Sequence, residues 1–170
     1  MKEFIKKFPM LYFRLRVMKK IGFKVLWINF VFQRLFRRHS RIKHSVNFTS
    51  SISEVGISYH QDLSTLASFA LSGHCYFQAI NGISLGKNIL FAPGVKLVSA
   101  DHDCSNERVS LGARPIDIGD NVWIGANVVI LPGVHIANNC TIGAGSIVTK
   151  SFLSKNSVIA GNPARLINKV

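Results

Sequence analysis

The chain has 170 residues, 48% of them hydrophobic and 17% charged, a length that suits one domain and a composition that excludes intrinsic disorder. Its net charge of +13 is unevenly placed: residues 1–43 hold 13 basic side chains and a single acid, Glu3, whereas the other 127 residues hold 8 basic and 7 acidic. The body is electrically ordinary, so whatever the basicity does is done by the N-terminal quarter.

Residues 1–43 are predicted to be helical, with breaks at Pro9 and Gly22. Phe4, Phe8, Leu11, Leu15 and Met18 follow the three-to-four spacing of an apolar stripe, Trp27, Val31 and Leu35 continue it, and Lys and Arg fill the gaps. Such an arm suits the interface of an anionic membrane. It equally suits a pair of helices packed on the first coil of whatever follows, shielding an open edge. The longest uncharged stretch of the basic region, Val25 to Gln33, is far short of the roughly 20 residues that cross a bilayer, and it runs into RLFRRH instead of a cleavage site. The arm is too apolar, and the body too neutral, for a nucleic-acid partner.

Beyond the arm a six-residue pattern emerges. Fragments surround Phe48 and Ile52, and a coil is expected to begin between residues 45 and 70. Leu71, Phe77 and Ile83 are six apart, and Leu85, Phe91 and Leu97 open successive blocks. Residues 103–115, polar and ending in Pro115, break the phase as a loop would. From Ile118 six unbroken blocks open with Ile118, Ile124, Ile130, Ile136, Ile142 and Val148. Their fourth positions read Asn121, Asn127, Gly133, Asn139, Gly145 and Ser151; Gly and Asn best tolerate positive φ, so each block should contain a corner. Fifth positions and openers point the same way in an extended segment, which gives one short strand per block. A unit this small must stack on copies of itself, and a three-sided section places residue n under n+18. Cys75, Cys104 and Cys140 are odd in number without metal-type spacing, which argues against a disulfide framework or a zinc knuckle and for a reducing cytosol.

These blocks, with NGISLG, FAPGV, SADHD and NVWIGANVVILPGV, resemble the hexapeptide-repeat acyltransferases, and among them the maltose, galactoside and polysaccharide O-acetyltransferases more than the serine acetyltransferases. The resemblance covers about residues 75–170. It implies an all-β solenoid, a left-handed parallel β-helix, although the general crossover preference would favour the right hand. The expected organisation is a basic amphipathic helical arm at 1–44, then the β-helix domain at 45–170 with a loop insertion at about 103–115 and a C-terminal tail. Ala137 stands where a block usually has Gly, and the bulky Phe152 hints at the end of the coil.

His102, at the root of the insertion, is placed where sites sit on rigid scaffolds. The resemblance makes it the general base, which suits an imidazole of ordinary pKa near 6.5. Asp101 and Asp103 flank it as candidate orienting or substrate-side groups. Gly125, Ala126, Gly143 and Ala144 are small enough to admit a pantetheine arm, and the resemblance assigns coenzyme A contacts to Ala126, Ala144, Thr149, Lys150 and Arg165. It also places Asn81 and Trp123 beside the acceptor. His135 reads as a solvated outward residue, His39 and His44 as part of the basic arm, and His60 and His74 as structural. The expected protein is therefore a homotrimeric, cytoplasmic, acetyl-CoA-dependent O-acetyltransferase that needs no metal. Its expected acceptor is a sugar of a surface polysaccharide or lipopolysaccharide, with residues 1–43 bringing it to the inner face of the cell membrane. Alternatives are a small-molecule acetyltransferase acting on xenobiotics or amino sugars, a metal-dependent carbonic anhydrase-like enzyme and a non-enzymatic trimeric scaffold.

Overall fold

A computed structural model describes residues 9–101 and 114–169. Short parallel strands line the three faces of a prism. The first face carries β1 (Ser51–Ile52), β3 (Tyr76–Gln78), β6 (Lys96–Val98), β9 (Val129–Ile130) and β12 (Ile147–Val148). The second carries β2 (Ile57–Tyr59), β4 (Ile83–Leu85), β7 (Ile116–Ile118) and β10 (His135–Ile136). The third carries β5 (Leu90–Phe91), β8 (Trp123–Ile124), β11 (Thr141–Ile142) and β13 (Ser157–Gly161), with β14 (Ala164–Lys169) antiparallel on β13. The coil is a left-handed β-helix.

The corner residues are those the spacing predicts. Asn88, Asn121, Asn127 and Asn139 have φ between 54° and 59°, and Gly94, Gly133 and Gly145 between 71° and 76°. Ala100 and Ser151 occupy corner positions without positive φ, and Asn156 (φ 55°) takes the corner after Ser151. Inside, every block opener from Ile118 to Val148 is buried, as are Val122, Val128, Val134, Cys140 and Ser146. Ile118 pairs with Ile136, Ile124 with Ile142 and Ile130 with Val148, an offset of 18 throughout. The Asn side chains stack too: Asn88 Nδ2 donates to Asn121 Oδ1 (3.1 Å), Asn121 to Asn139 (3.0 Å) and Asn139 to Asn156 (2.9 Å). Across the insertion Leu97 pairs with Ile130, an offset of 33. Phe152 bridges Ile136 as the last residue on the second face before β13.

A helix at Leu63–Leu71 is absent from the sequence reading. A solenoid leaves strand edges with unpaired backbone groups at its ends, and here a helix closes one. In the first coil the third face holds α3 (Leu63–Leu71) in place of a strand. Asp62 caps it, accepting from Thr65 N–H (2.9 Å) and the Thr65 hydroxyl (2.8 Å). Its hydroxyls then meet the edge of β5: Ile89 N–H donates to Thr65 Oγ1, Phe91 N–H donates to Ser68 Oγ, and Ser72 Oγ donates to the Phe91 carbonyl. Leu71 is therefore the exposed end of a helix, and only Phe77 and Ile83 of its six-spaced trio belong to the coil.

The arm forms α1 (Pro9–Ile21) and α2 (Phe23–Arg34), joined at Gly22 with φ 89°. Val17, Ile21, Val25 and Leu26 pack on Ala67 and Ala70 of α3. Two buried amides fasten α2 to the coil. Asn29 donates to Ser45 Oγ and the Ala70 carbonyl and accepts from Phe48 N–H; Gln33 donates to the His44 carbonyl and accepts from Val46 N–H. Buried His39 lays its ring nitrogens against the carbonyls of Ile52 (3.1 Å) and Ser50 (2.8 Å), covering the edge of β1. The predicted stripe of Leu11, Leu15, Met18 and Trp27 faces outward; Phe4 and Phe8 lie outside the described residues.

His44 packs between Tyr59 and Phe69, with ring centroids 4.9 Å and 4.7 Å away. Tyr59 OH is 2.9 Å from its Nδ1, while buried Nε2 finds no partner among the described residues. Burial pushes the imidazole pKa down from 6.5 to about 4. The unfolded chain therefore takes up a proton that the folded chain refuses between those values. Stability contributed by neutral His44 is complete above pH 6.5 and should fall as pH drops toward 4, by about 3 kcal/mol. Urea unfolding across this window checks it: the wild type should show the slope and His44→Gln should largely lose it, and equal slopes would contradict the burial account.

Candidate functional site

The insertion leaves the coil at the edge between the first and second faces, directly after β6. Asn81 N–H donates to Ser99 Oγ (3.0 Å) and Asn81 Nδ2 to the Ser99 carbonyl (2.8 Å). Ser99 Oγ in turn donates to the Gln78 carbonyl (2.9 Å), and Ala100 N–H donates to Gln78 Oε1 (3.3 Å). The turn between β3 and β4 is thereby stitched to the segment that follows β6 and runs to Asp101, which is exposed on this edge. Predicted residues His102 and Asp103 lie outside the described residues, with nearly all of the expected loop. The chain returns at Arg114, whose carbonyl accepts from Gly133 N–H (3.0 Å). A Cβ on Gly133 would meet the Arg114 side chain at 3.1 Å, so the returning chain lies closely over that corner. Beside it an open trough of about 330 Å³ is lined by Gly56, Ser58, Gly82, Ser84 and Pro115.

Thr149 and Lys150 are exposed on the same edge, after β12. Two strand steps separate β12 from β6 on the first face, so they stand roughly 10 Å along the prism from the level of Asp101.

Ala126 and Ala144 occupy a different edge, between the third and first faces. Gly145 N–H donates to the Ala126 carbonyl and Gly125 N–H to the Ile142 carbonyl, both at 2.8 Å. A Cβ on Gly125 would come within 2.6 Å of Ala144 N, so glycine is required for this close stacking. Ala126 is half-buried and Ala144 exposed, with open space over Gly145. The edge is thin, and its backbone lies near the surface. Arg165, exposed on β14, pairs with Ala160, and a Cβ on Gly143 would touch Ala160 at 3.0 Å; Arg165 thus flanks this second edge. Trp123 points outward from the third face, 55% exposed, in a column with Leu90 and Thr141.

The predicted residues therefore fall into two groups. Asn81, Asp101, Thr149 and Lys150 share one edge; Ala126, Ala144 and Arg165 share another, with the first face between the two and Trp123 on the third. Within one chain they do not converge. Gln78 and Ser99, which brace the loop root, went unseen because the offset between them is 21 and no 18-residue rule pairs them. His135 is exposed on the second face, and His60 and His74 are exposed as well. Among the described residues no group of three or more His, Cys, Asp or Glu could hold a metal ion.

Known proteins resemble this coil. The family model described as "Bacterial transferase hexapeptide (six repeats)" matches residues 115–150. The galactoside O-acetyltransferase of Escherichia coli strain K12 is 47% identical over 91 residues, 52% of this chain and 44% of that protein; the chain spans about half the length of the curated relatives it matches. A solved maltose O-acetyltransferase from Clostridium difficile 630 is 31% identical, covering 72% of this chain and 71% of that one, with a TM-score of 0.49. A galactoside acetyltransferase solved in complex with coenzyme A is 27% identical, covers 90% of this chain and 82% of its own, and has a TM-score of 0.52. Repeat, corner chemistry and sequence identity agree, and the chain belongs to the hexapeptide-repeat acyltransferase family, in the branch that resembles the maltose and galactoside O-acetyltransferases.

Proposed function

We propose that this protein is an acetyl-CoA-dependent O-acetyltransferase whose acceptor is a sugar hydroxyl of a surface polysaccharide or lipopolysaccharide. The observation that carries the reading is the brace at the loop root: Gln78, Asn81 and Ser99 hold the coil just before Asp101, the residue that precedes His102 in the sequence. His102 removes the acceptor hydroxyl proton as the oxygen attacks the thioester carbonyl. The C–S bond then breaks, and the departing thiolate takes the proton back from the imidazolium. Asp101 and Asp103 flank His102 in the sequence, and either carboxylate would serve to orient the imidazole. The thin edge at Ala126 and Ala144 admits the pantetheine arm, and its backbone N–H groups stabilise the developing oxyanion. Arg165, Thr149 and Lys150 serve the phosphate-bearing end of coenzyme A, and Trp123 lies on the acceptor side.

The two edges are separated within one chain, so the reading requires another copy. In a homotrimer the loop-root edge of one protomer faces the Ala126–Ala144 edge of its neighbour, and each interface makes one site. The setting is the inner face of the cell membrane, where glycan precursors are built.

His102→Ala should abolish acetyl transfer to a sugar panel while leaving coenzyme A affinity nearly unchanged, because a base acts on the transition state and not on donor binding. Turnover near wild type would move the base elsewhere, and transfer only to non-sugar amines or alcohols would exclude the glycan acceptor. Asn81→Ala should lower kcat by roughly 10- to 100-fold, since an ångström-scale displacement of a catalytic group carries a cost of that order. Its KM for acetyl-CoA should change little, and a KM effect without a kcat effect would make Asn81 a binding group instead of a brace.

A further inference from the structure

The arm has two apolar faces, and the fold uses only one. Its inner face is spent on α3 and the coil through Ile21, Leu26, Asn29 and Gln33. On its outer face Phe23, Trp27 and Phe30 stack in a row, with ring centroids 6.4 Å and 6.0 Å apart, and each is more than half exposed. Met18 joins them, and together they wall an open, mainly apolar crevice of about 370 Å³ whose rim carries Arg34 and Lys43. Leu11 and Leu15 extend the apolar surface along α1. Capping the coil accounts for none of this.

Charge identifies the occupant. From Pro9 to Ser53 the sequence contains ten Lys and Arg and no acid, and among the described residues no cation of α1 or α2 sits in an ion pair. At 13 and 12 residues the helices are about 20 Å and 18 Å long, against a hydrocarbon core of about 30 Å. No helix among the described residues is long and apolar enough to cross a membrane. A short aromatic face fringed by cations, held in place from behind, suits a surface that is apolar below and anionic at its rim.

We propose that the outward face of α1 and α2 is a docking surface for an anionic lipid bilayer, with Phe23, Trp27 and Phe30 entering the headgroup boundary and the surrounding cations meeting lipid phosphates. The inference rests on the membrane-side setting proposed above and can fail independently of acetyl transfer. Because the arm is fastened by buried amides, docking would fix the orientation of the whole coil and not merely tether it.

The test uses the full chain and vesicles of phosphatidylcholine, alone or mixed with phosphatidylglycerol. Full-length protein should sediment with the mixed vesicles at low salt and release at high salt. Trp27→Ser should weaken binding by roughly tenfold, and Lys24→Gln by about fivefold. Both sites are exposed, so the urea midpoint and acetyl transfer to a soluble sugar should stay at wild-type values. In a Trp123→Phe background Trp27 is the sole indole, and its emission should shift to the blue with mixed vesicles only. Indifference to both vesicles, equal binding to both, or unchanged binding by the two variants would overturn the proposal. So would an assembly of twice the mass that Trp27→Ser halves while vesicle binding is absent, because the face would then belong to a second copy.

Discussion

A chain that turns a corner every six residues passes most of those corners through a residue at positive φ, and most side chains resist that conformation by roughly 1–2 kcal/mol. The Asn and Gly corners remove the resistance, and everything else follows from where they fall. With corners in phase, strands of two or three residues suffice, because each is bonded to a strand above and below. The openers then stack Ile on Ile, and the corner amides join into a ladder from Asn88 to Asn156. The same geometry presents thin edges of exposed backbone.

Ending such a stack is the harder problem, since its first coil exposes both an apolar interior and unpaired strand edges. Here the solutions are borrowed from other structural classes. A helix offers Thr65, Ser68 and Ser72 hydroxyls to the edge of β5, the His39 ring covers the edge of β1, and two amides bind the arm across the gap. Each group is matched by a partner, as burial demands. His44 is the exception: its Nε2 is unpaired among the described residues, and its lowered pKa makes this junction sensitive to acid.

The regular coil was legible because its information is periodic. Ile118 to Val148 carry the interior, Asn121 to Gly145 the corners, and the offset of 18 follows from them. The first coil was not legible, because α3 interrupts the period with a helix that replaces a strand. The arm's stripe was seen and its direction was not: periodicity finds an apolar face, but only the small residues Ala67 and Ala70 decide which face packs. For the site, the resemblance named residues singly. Their division between two edges comes from strand order, and the brace of Gln78, Asn81 and Ser99 rests on an irregular offset that no repeat could reveal.

On the function proposed above neither edge is a site alone, and acetyl transfer would take place where the loop root of one protomer meets the Ala126–Ala144 edge of another. Subunit mixing tests it directly, with His102→Ala disabling one edge and Ala144→Phe obstructing the other. Each variant alone should be inactive. After dissociation and joint reassociation, the mixture should regain roughly a quarter of wild-type activity, because random assembly in a closed ring pairs intact edges about that often. Mixed assemblies that form and stay inactive would contradict the account, as would full activity in Ala144→Phe by itself.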